Sequence, residues 1–235
     1  STSQYAVDGS LVNGLYTSTL PSKDLKWEKT GQYDFGMDAS FFGSRLNVAF
    51  DFYYSKTTDM LLNVPVPVLT GFTESQTNIG SVQNKGIEFS LNSVNIKNKD
   101  FIWTTDFNIS ANRNKVLRLG NNDAPIDVST NSAISRTEVG QPVGNYYGYK
   151  VIGVYSTDDI NNPNVPKYAG AEPGDPKVEN TDGNTVIDAG DRTILGNYQP
   201  DFTWGLTNNF SFKGIELSFM LTGTHGNEIM NQNAR

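Results

Sequence analysis

Apolar and polar residues alternate strictly near the start of this chain. Tyr33, Phe35, Met37, Ala39 and Phe41 interleave with Gln32, Asp34, Gly36, Asp38 and Ser40. After Gly43 and Ser44 the alternation resumes, with Leu46, Val48, Phe50, Phe52 and Tyr54 set against Asn47, Ala49, Asp51, Tyr53 and Ser55. A period of two sends the two sets to opposite faces of a strand. One face is richly aromatic and the other carries carboxylates and amides, which suits a sheet with lipid on one side and water on the other.

The same reading along the chain predicts six strands, over about 26–42, 45–56, 83–94, 102–112, 201–212 and 215–224. The third sets Ile87, Phe89 and Leu91 against Glu88, Ser90 and Asn92, and the fourth sets Trp103, Phe107 and Ile109 against Asp106, Asn108 and Ser110. Long loops are expected over about 57–82 and 113–200, while the other connections are short. In an up-and-down sheet alternate connections lie at the same end, so the short turns share one rim and the long loops the other. Membrane β-barrels have this asymmetry. Aromatics gather at both rims: Phe41, Phe42, Phe101, Trp103 and Phe212 beside the short turns, and Trp27, Tyr54 and Trp204 toward the loops. The expected fold is therefore all-β, an antiparallel up-and-down arc of a large transmembrane barrel with long extracellular loops. A soluble β-sandwich alternates in the same way, so periodicity alone leaves it open.

Composition narrows the function classes. A formal net charge of −7 and the lack of Lys and Arg clusters speak against nucleic acid. The chain has no cysteine, which removes disulfides, thiolate metal sites and thiol nucleophiles. No apolar run approaches the roughly 18 residues that a membrane helix needs. Ser1-Thr2-Ser3-Gln4-Tyr5 lacks a signal-peptide pattern, and the last residues follow a strand-like segment, so the expectation is an internal piece of a longer protein.

Five stretches carry a resemblance: Leu25-Lys26-Trp27-Glu28-Lys29-Thr30 leading into Phe35-Gly36; the run from Asn78-Ile79-Gly80 to Lys85-Gly86-Ile87-Glu88; Val139-Gly140-Gln141-Pro142-Val143-Gly144 followed by Tyr147-Gly148-Tyr149; Gly174-Asp175 through Asp191-Arg192; and Gly223-Thr224-His225-Gly226-Asn227-Glu228-Ile229. In that order the chain resembles part of the C-terminal half of the barrel of SusC/RagA-like TonB-linked outer-membrane transporters of Bacteroidetes. The resemblance implies a non-enzymatic importer of oligosaccharide or peptide, placed in outer-membrane lipid, capped by a SusD-like surface lipoprotein and driven by TonB. The plug domain and TonB box of that family have no counterpart in these residues. A passive porin and a soluble, calcium-binding adhesion or glycan-binding sandwich are the alternatives.

One motif points to metal chemistry. The 180–191 stretch fits a calcium loop with Asn180, Asp182, Asn184, Asp188 and Asp191 as side-chain oxygen donors, Val186 through its carbonyl and Ile187 as the apolar anchor. Thr185 stands where glycine usually permits the sharp turn, and a short Asp closes the loop, so the other reading is a surface hairpin rich in Asx turns. Tyr146, Tyr147 and Tyr149 are candidates for a ligand-facing or partner-facing surface, since aromatic faces stack on sugar rings and peptide groups; the alternative is that they pack the loop onto the barrel. His225 is the only histidine and is expected on a polar rim. Asp158 and Asp159 are expected to be solvated or lid-facing loop carboxylates rather than an acid–base pair.

Overall fold

The computed structural model describes residues 2–7, 10–15, 25–65, 68–72, 74–120, 122–130 and 133–231. In chain order the elements are β1 (Thr2–Val7), β2 (Ser10–Leu15), β3 (Lys29–Phe41), β4 (Leu46–Pro65), β5 (Glu74–Lys97), β6 (Phe101–Arg118), β7 (Ile126–Thr130), β8 (Ala133–Thr137), β9 (Asn145–Tyr149), β10 (Val151–Val154), α1 (Thr157–Asn161), β11 (Pro176–Val178), β12 (Arg192–Gly196), β13 (Phe202–Phe212) and β14 (Ile215–His225). β1 and β2 form a hairpin of their own. The main sheet has six antiparallel strands in the order β14-β13-β6-β5-β4-β3, so β6 and β13 are neighbours despite the long connection between them.

The register carries the sequence alternation across all six strands. One row runs Met37–Phe50–Phe89–Ile109–Trp204–Gly223 and another Ala39–Val48–Leu91–Phe107–Leu206–Leu221. These side chains meet no second layer: Phe35 is 64% exposed and Ile215 72%. Among the described residues the buried apolar set is only Val82, Val116, Leu119, Tyr155, Val178 and Ile187, all away from this face. A sandwich would bury the apolar face against a second sheet, so the sandwich reading is set aside. An uncovered apolar face of this size is stable in hydrocarbon and not in water.

The short turns close tightly. Lys213 and Gly214 join β13 to β14 with φ of 47° and 86°, the two positive values of a mirror-image hairpin turn, which matches the right-handed twist of its strands.

The strands outrun the sequence expectation at the opposite rim. Residues 57–82 were expected to form a loop, yet β4 and β5 stay paired from Thr57↔Val82 outward to Pro65↔Glu74. The alternation fails there because of a bulge: the register shifts on both sides of Met60, and Asp59 adopts a φ of 57°. Asn78 holds the bulge, donating to the carbonyls of Asp59 (2.6 Å) and Lys26 (2.8 Å) while accepting from the Lys26 amide (2.6 Å). β6 likewise runs on to Arg118, and the expected 113–200 loop contains β7 to β12.

One polar row interrupts the apolar face, made by Ser93, Thr105 and Asn208. Asn208 of β13 lies in the row Thr105–Asn208–Phe219 and is 8% exposed. Its Oδ1 accepts from the Trp103 indole N–H (2.9 Å) and the Thr105 hydroxyl (2.7 Å), and the Trp103 ring stacks on Phe210 at 5.6 Å. Asn208→Ala would leave both donors unsatisfied and is expected to destabilise the sheet by about 1–3 kcal/mol. The urea unfolding midpoint of the full-length protein in lipid vesicles measures this; an unchanged midpoint would refute the role given to Asn208.

Candidate functional site

The polar face of the six-stranded sheet is one wall of the site. From the row Gln32–Ser55–Asn84–Asn114 to the row Ser40–Asn47–Asn92–Asp106–Thr207–Met220 it carries Asp34, Asp38, Asp51, Glu88 and Asp106 and neither Lys nor Arg. Asp51 and Glu88 are directly opposite in register. Like charges in that position repel, a cost that water lowers by screening. The Tyr53 ring lies across Gly86, where an added Cβ would come within 2.5 Å of it, and its hydroxyl donates to Asn112 (3.0 Å).

A side-chain relay crosses the whole wall nearer the short-turn rim. Ser40 donates to Asn47 (2.8 Å), Asn47 to Asn92 (3.4 Å), and Asn92 to Asp106 (2.5 Å). From the other side Ser218 donates to Asn209 (2.7 Å), and Asn209 reaches Asp106 at 3.5 Å. Each strand contributes one member, so the polar groups of this face brace one another across the ladder.

The connection between β6 and β13 is an ordered module. Its four-stranded sheet has the order β12-β9-β8-β7, and β10 pairs with β11 beside it. Val82, Val116 and Leu119 form a small core at its base, with Met60, Ile126 and Val143 packed against it. The amides of Val116 and Gly140 also bond the Gln141 and Val116 carbonyls, which fixes the start of the module to the top of β6. A second centre forms around Tyr155, 1% exposed, whose hydroxyl donates to the Pro166 carbonyl (2.9 Å) and whose ring meets Tyr168 edge-on at 6.0 Å. Burial pushes the Tyr155 phenol pKa up.

α1 begins with a capping box: Ser156 Oγ accepts from the Asp159 amide (3.0 Å) and Asp159 accepts from the Ser156 amide (3.0 Å). Lys167 caps its far end, donating to the carbonyls of Ile160 (2.6 Å) and Asn162 (2.9 Å). Lys177, 2.8 Å from Asp159, and the Ser156 amide hold that carboxyl at a pKa of about 2. Asp159 is thus engaged in structure, which removes it from acid–base work. Its neighbour Asp158 lies exposed in the first turn.

The 180–191 loop gathers part of its predicted oxygen set. Carboxylate oxygens of Asp182, Asp188 and Asp191 lie within 4.8 Å of one another, close enough for a cation to be chelated between them. Asp191 is buried and accepts from the amides of Asp188 (2.9 Å) and Thr181 (2.8 Å), which lower its pKa. Asn180 Oδ1 accepts from the Gly183 amide (2.6 Å), and Asn184 Oδ1 accepts from the Val186 amide (2.6 Å), so both asparagines already close Asx turns. Ile187 is buried, and its amide bonds the Lys167 carbonyl (3.1 Å), anchoring the loop to the module.

The three tyrosines of β9 differ in surroundings. Arg136 sits 3.5 Å over the Tyr147 ring and makes a two-point ion pair with Asp127, both contacts at 2.7 Å. That guanidinium holds the Asp127 carboxyl below its ordinary pKa. Tyr146 is half-buried opposite Ser135, and Tyr149, 37% exposed and the last residue of β9, has Arg192 5.3 Å over its ring. His225 stacks on Phe202 at the loop-side end of the wall. Sequence reading missed Asn145, Asp201 and Glu228: Asn145 is buried and accepts from Asn197 (2.5 Å), and both carboxylates contact glycines distant in sequence. No local pattern marks such pairs.

Comparison with known proteins fits this geometry. Residues 2–215 match the family model described as TonB dependent receptor-like, beta-barrel. The chain is 37% identical over 235 residues to TonB-dependent receptor P3 of Formosa agariphila, covering 97% of this chain and 24% of that protein. It is 32% identical over 219 residues to TonB-dependent receptor SusC of Bacteroides thetaiotaomicron, covering 91% of this chain and 21% of the relative. Among solved structures, the RagAB peptide importer in its closed-closed state superposes with a TM-score of 0.73 at 26% identity, over 97% of this chain and 24% of that one. Its open-open state gives the same TM-score at 27% identity, over 97% of this chain and 23% of that one. The chain therefore spans about a quarter of the length of these relatives. An apolar face turned to lipid, a polar inner wall and loops gathered at one rim are what such a barrel requires, and the chain belongs to the TonB-dependent receptor-like β-barrel family, as part of its outer-membrane wall.

Proposed function

We propose that this chain is a wall segment, with its extracellular loop module, of a TonB-dependent importer that carries peptide or oligosaccharide across the outer membrane. The observation that carries the reading is the acidic, cation-free inner wall between Asp34 and Asp106, set behind a lipid-facing aromatic face and topped by an ordered module. A water-filled or plug-filled lumen explains that wall. The relatives' dependence on TonB supports gated import over a passive pore. The role is transport, with no covalent chemistry assigned to these residues. A SusD-like surface lipoprotein is the proposed extracellular partner, on the resemblance to SusC/RagA-like transporters and the similarity in fold to the RagAB peptide importer. Deleting the gene for the full-length protein, or tonB, should each abolish growth on the cargo; growth that survives tonB deletion would favour the porin.

The exposed ring of Tyr149 is proposed as part of the surface that meets cargo or partner, because Arg136 lies 3.5 Å over the Tyr147 ring whereas Arg192 stands 5.3 Å from that of Tyr149. Tyr149→Ala should reduce uptake several-fold at unchanged surface expression, whereas normal uptake would assign the residue to packing alone.

Calcium is proposed as the cation of the 180–191 loop, held by Asp182, Asp188 and Asp191 with Asn180, Asn184 and the Val186 carbonyl completing the oxygen shell. Hard oxygen donors suit calcium better than softer metals. Terbium luminescence of the full-length protein, competed by calcium, should report binding that Asp188→Asn weakens; identical signals from both proteins would sink the site. The Asp191 carboxyl has a depressed folded-state pKa, so its contribution to loop stability is present above the unfolded value of about 4 and fades as pH falls below it. Proteolysis of the 180–191 loop should accordingly speed up on acidification, and Asp191→Asn should show the faster rate already at neutral pH.

A further inference from the structure

The cations of the central strands are sorted by face. Tyr33, Tyr54, Lys85 and Arg113 form one row across β3 to β6, and Gly31, Lys56, Gln83 and Lys115 form the next row outward. Both rows belong to the face that carries Phe50, Phe89 and Ile109, since residues two apart along a strand share a side. At the same height the inner wall offers only Gln32, Ser55, Asn84 and Asn114.

These rows stand where hydrocarbon ends. From Phe101 to Ala111 β6 climbs about 34 Å at about 3.4 Å per residue. A tilt of about 40° reduces this to about 26 Å, the height of the apolar band of a membrane barrel. Phe35, Phe52, Ile87 and Ala111 form the last row of that band. Lys85 and Arg113 come one row later, beside Tyr33 and Tyr54, whose rings lie 6.5 Å apart. Tyrosines and long cationic side chains at this depth reach the headgroups. The last row at the opposite end of the face is Phe101, Phe212 and Ile215, with no charge.

Two of the outer cations are already neutralised, Arg113 by Asp201 (2.7 Å) and Lys29 by Asp59 (3.9 Å). Lys56, Lys85 and Lys115 are exposed and have no ion pair among the described residues. They surround one side chain. Lys56 and Lys115 flank Gln83 in register, about 10 Å apart across two strand spacings, and Lys85 lies diagonally to both at about 7–8 Å. The Tyr54 hydroxyl donates to Gln83 Oε1 (3.4 Å), which leaves the Gln83 amide nitrogen as a donor amid the three lysines. Like charges this close repel. A phosphate bound among them removes that cost and accepts from more than one of these donors.

We propose that Lys56, Lys85, Lys115 and Gln83 form a docking site on the outside of the barrel for the phosphate-bearing headgroup of an outer-leaflet lipid. The apolar band ending one row away favours a lipid over a free phosphate, because headgroup and acyl chains are met together. The site depends on the barrel alone and is independent of what the transporter carries.

The test uses the full-length transporter in neutral maltoside micelles, with bound lipid counted by native mass spectrometry. Monophosphoryl lipid A is the probe; its dephosphorylated form and inorganic phosphate are the comparisons. Wild type should retain the phosphorylated lipid, less tightly as salt rises, and hold the other two at least about tenfold more weakly. Lys56→Gln/Lys85→Gln/Lys115→Gln should lower retention at least about tenfold, whereas Lys56→Arg/Lys85→Arg/Lys115→Arg should keep it. Lys97→Gln/Lys99→Gln, at the short-turn rim, should leave it unchanged. Gln83→Glu, a single change that sets a carboxylate among the lysines, should match the triple glutamine variant and decides the matter where that variant does not fold. Equal retention of the phosphorylated and dephosphorylated lipids, undiminished retention by the glutamine and Gln83→Glu variants, or inorganic phosphate bound as tightly as the lipid would each overturn the proposal. So would a glutamine variant changed only in oligomeric state, which would make this face a contact between copies.

Discussion

Everything in this arc follows from the requirement that a backbone in hydrocarbon leave no peptide group unpaired. With no water to satisfy N–H and C=O groups, strands must pair along their full membrane depth, and the register of each pair is fixed by which face meets lipid. A one-residue slip between β4 and β5 would exchange Phe50 and Phe89 with Asp51 and Glu88, turning carboxylates into the bilayer. The same requirement applies at the outer edges of β3 and β14, each paired on one side only. In a membrane such edges need further strands, so the six-stranded sheet makes physical sense as part of a closed wall.

Where the requirement relaxes, the architecture changes character. Past the bulge at Asp59 the β4–β5 ribbon leaves the alternation that lipid imposes, and past Leu119 the chain folds into short strands around small local cores. Side-chain hydrogen bonds to backbone take over from the apolar faces: Asn78 at the bulge, Ser156 and Lys167 around α1, and Asp188 and Asp191 in the acidic loop. The module thus resembles a small soluble domain in its construction, although its base is inseparable from the top of β5 and β6.

This division also explains what could be read from the sequence. Wall strands were legible because lipid forces every second residue to be apolar, which leaves a period that survives in rows such as Phe50–Phe89–Ile109. The outward ribbon was not, since the bulge at Asp59 and Met60 breaks the period just where pairing continues. β7 to β12 were hidden for a related reason: strands of three to five residues carry too few positions for alternation to register. The acidic loop was visible through its Asp and Asn spacing, because the Asx turns that shape it are local in sequence. Asp201 and Glu228 were invisible; their partners are glycines, which announce nothing about what lies above them.

That last point holds on the inner wall as well. On the inner wall Asp51 lies close over Gly36, and Tyr53 lies across Gly86, each side chain reclining in space that a methyl group would occupy. The contour met by anything passing through the lumen is therefore drawn by residues that contribute no side chain to it. At Gly36 a methyl group would displace only the Asp51 side chain, so the bore can be reshaped there while the strand register stays as it is; at Gly86 it would also meet the Ala111 carbonyl, so that glycine ties the shape of the bore to the pairing of β5 with β6.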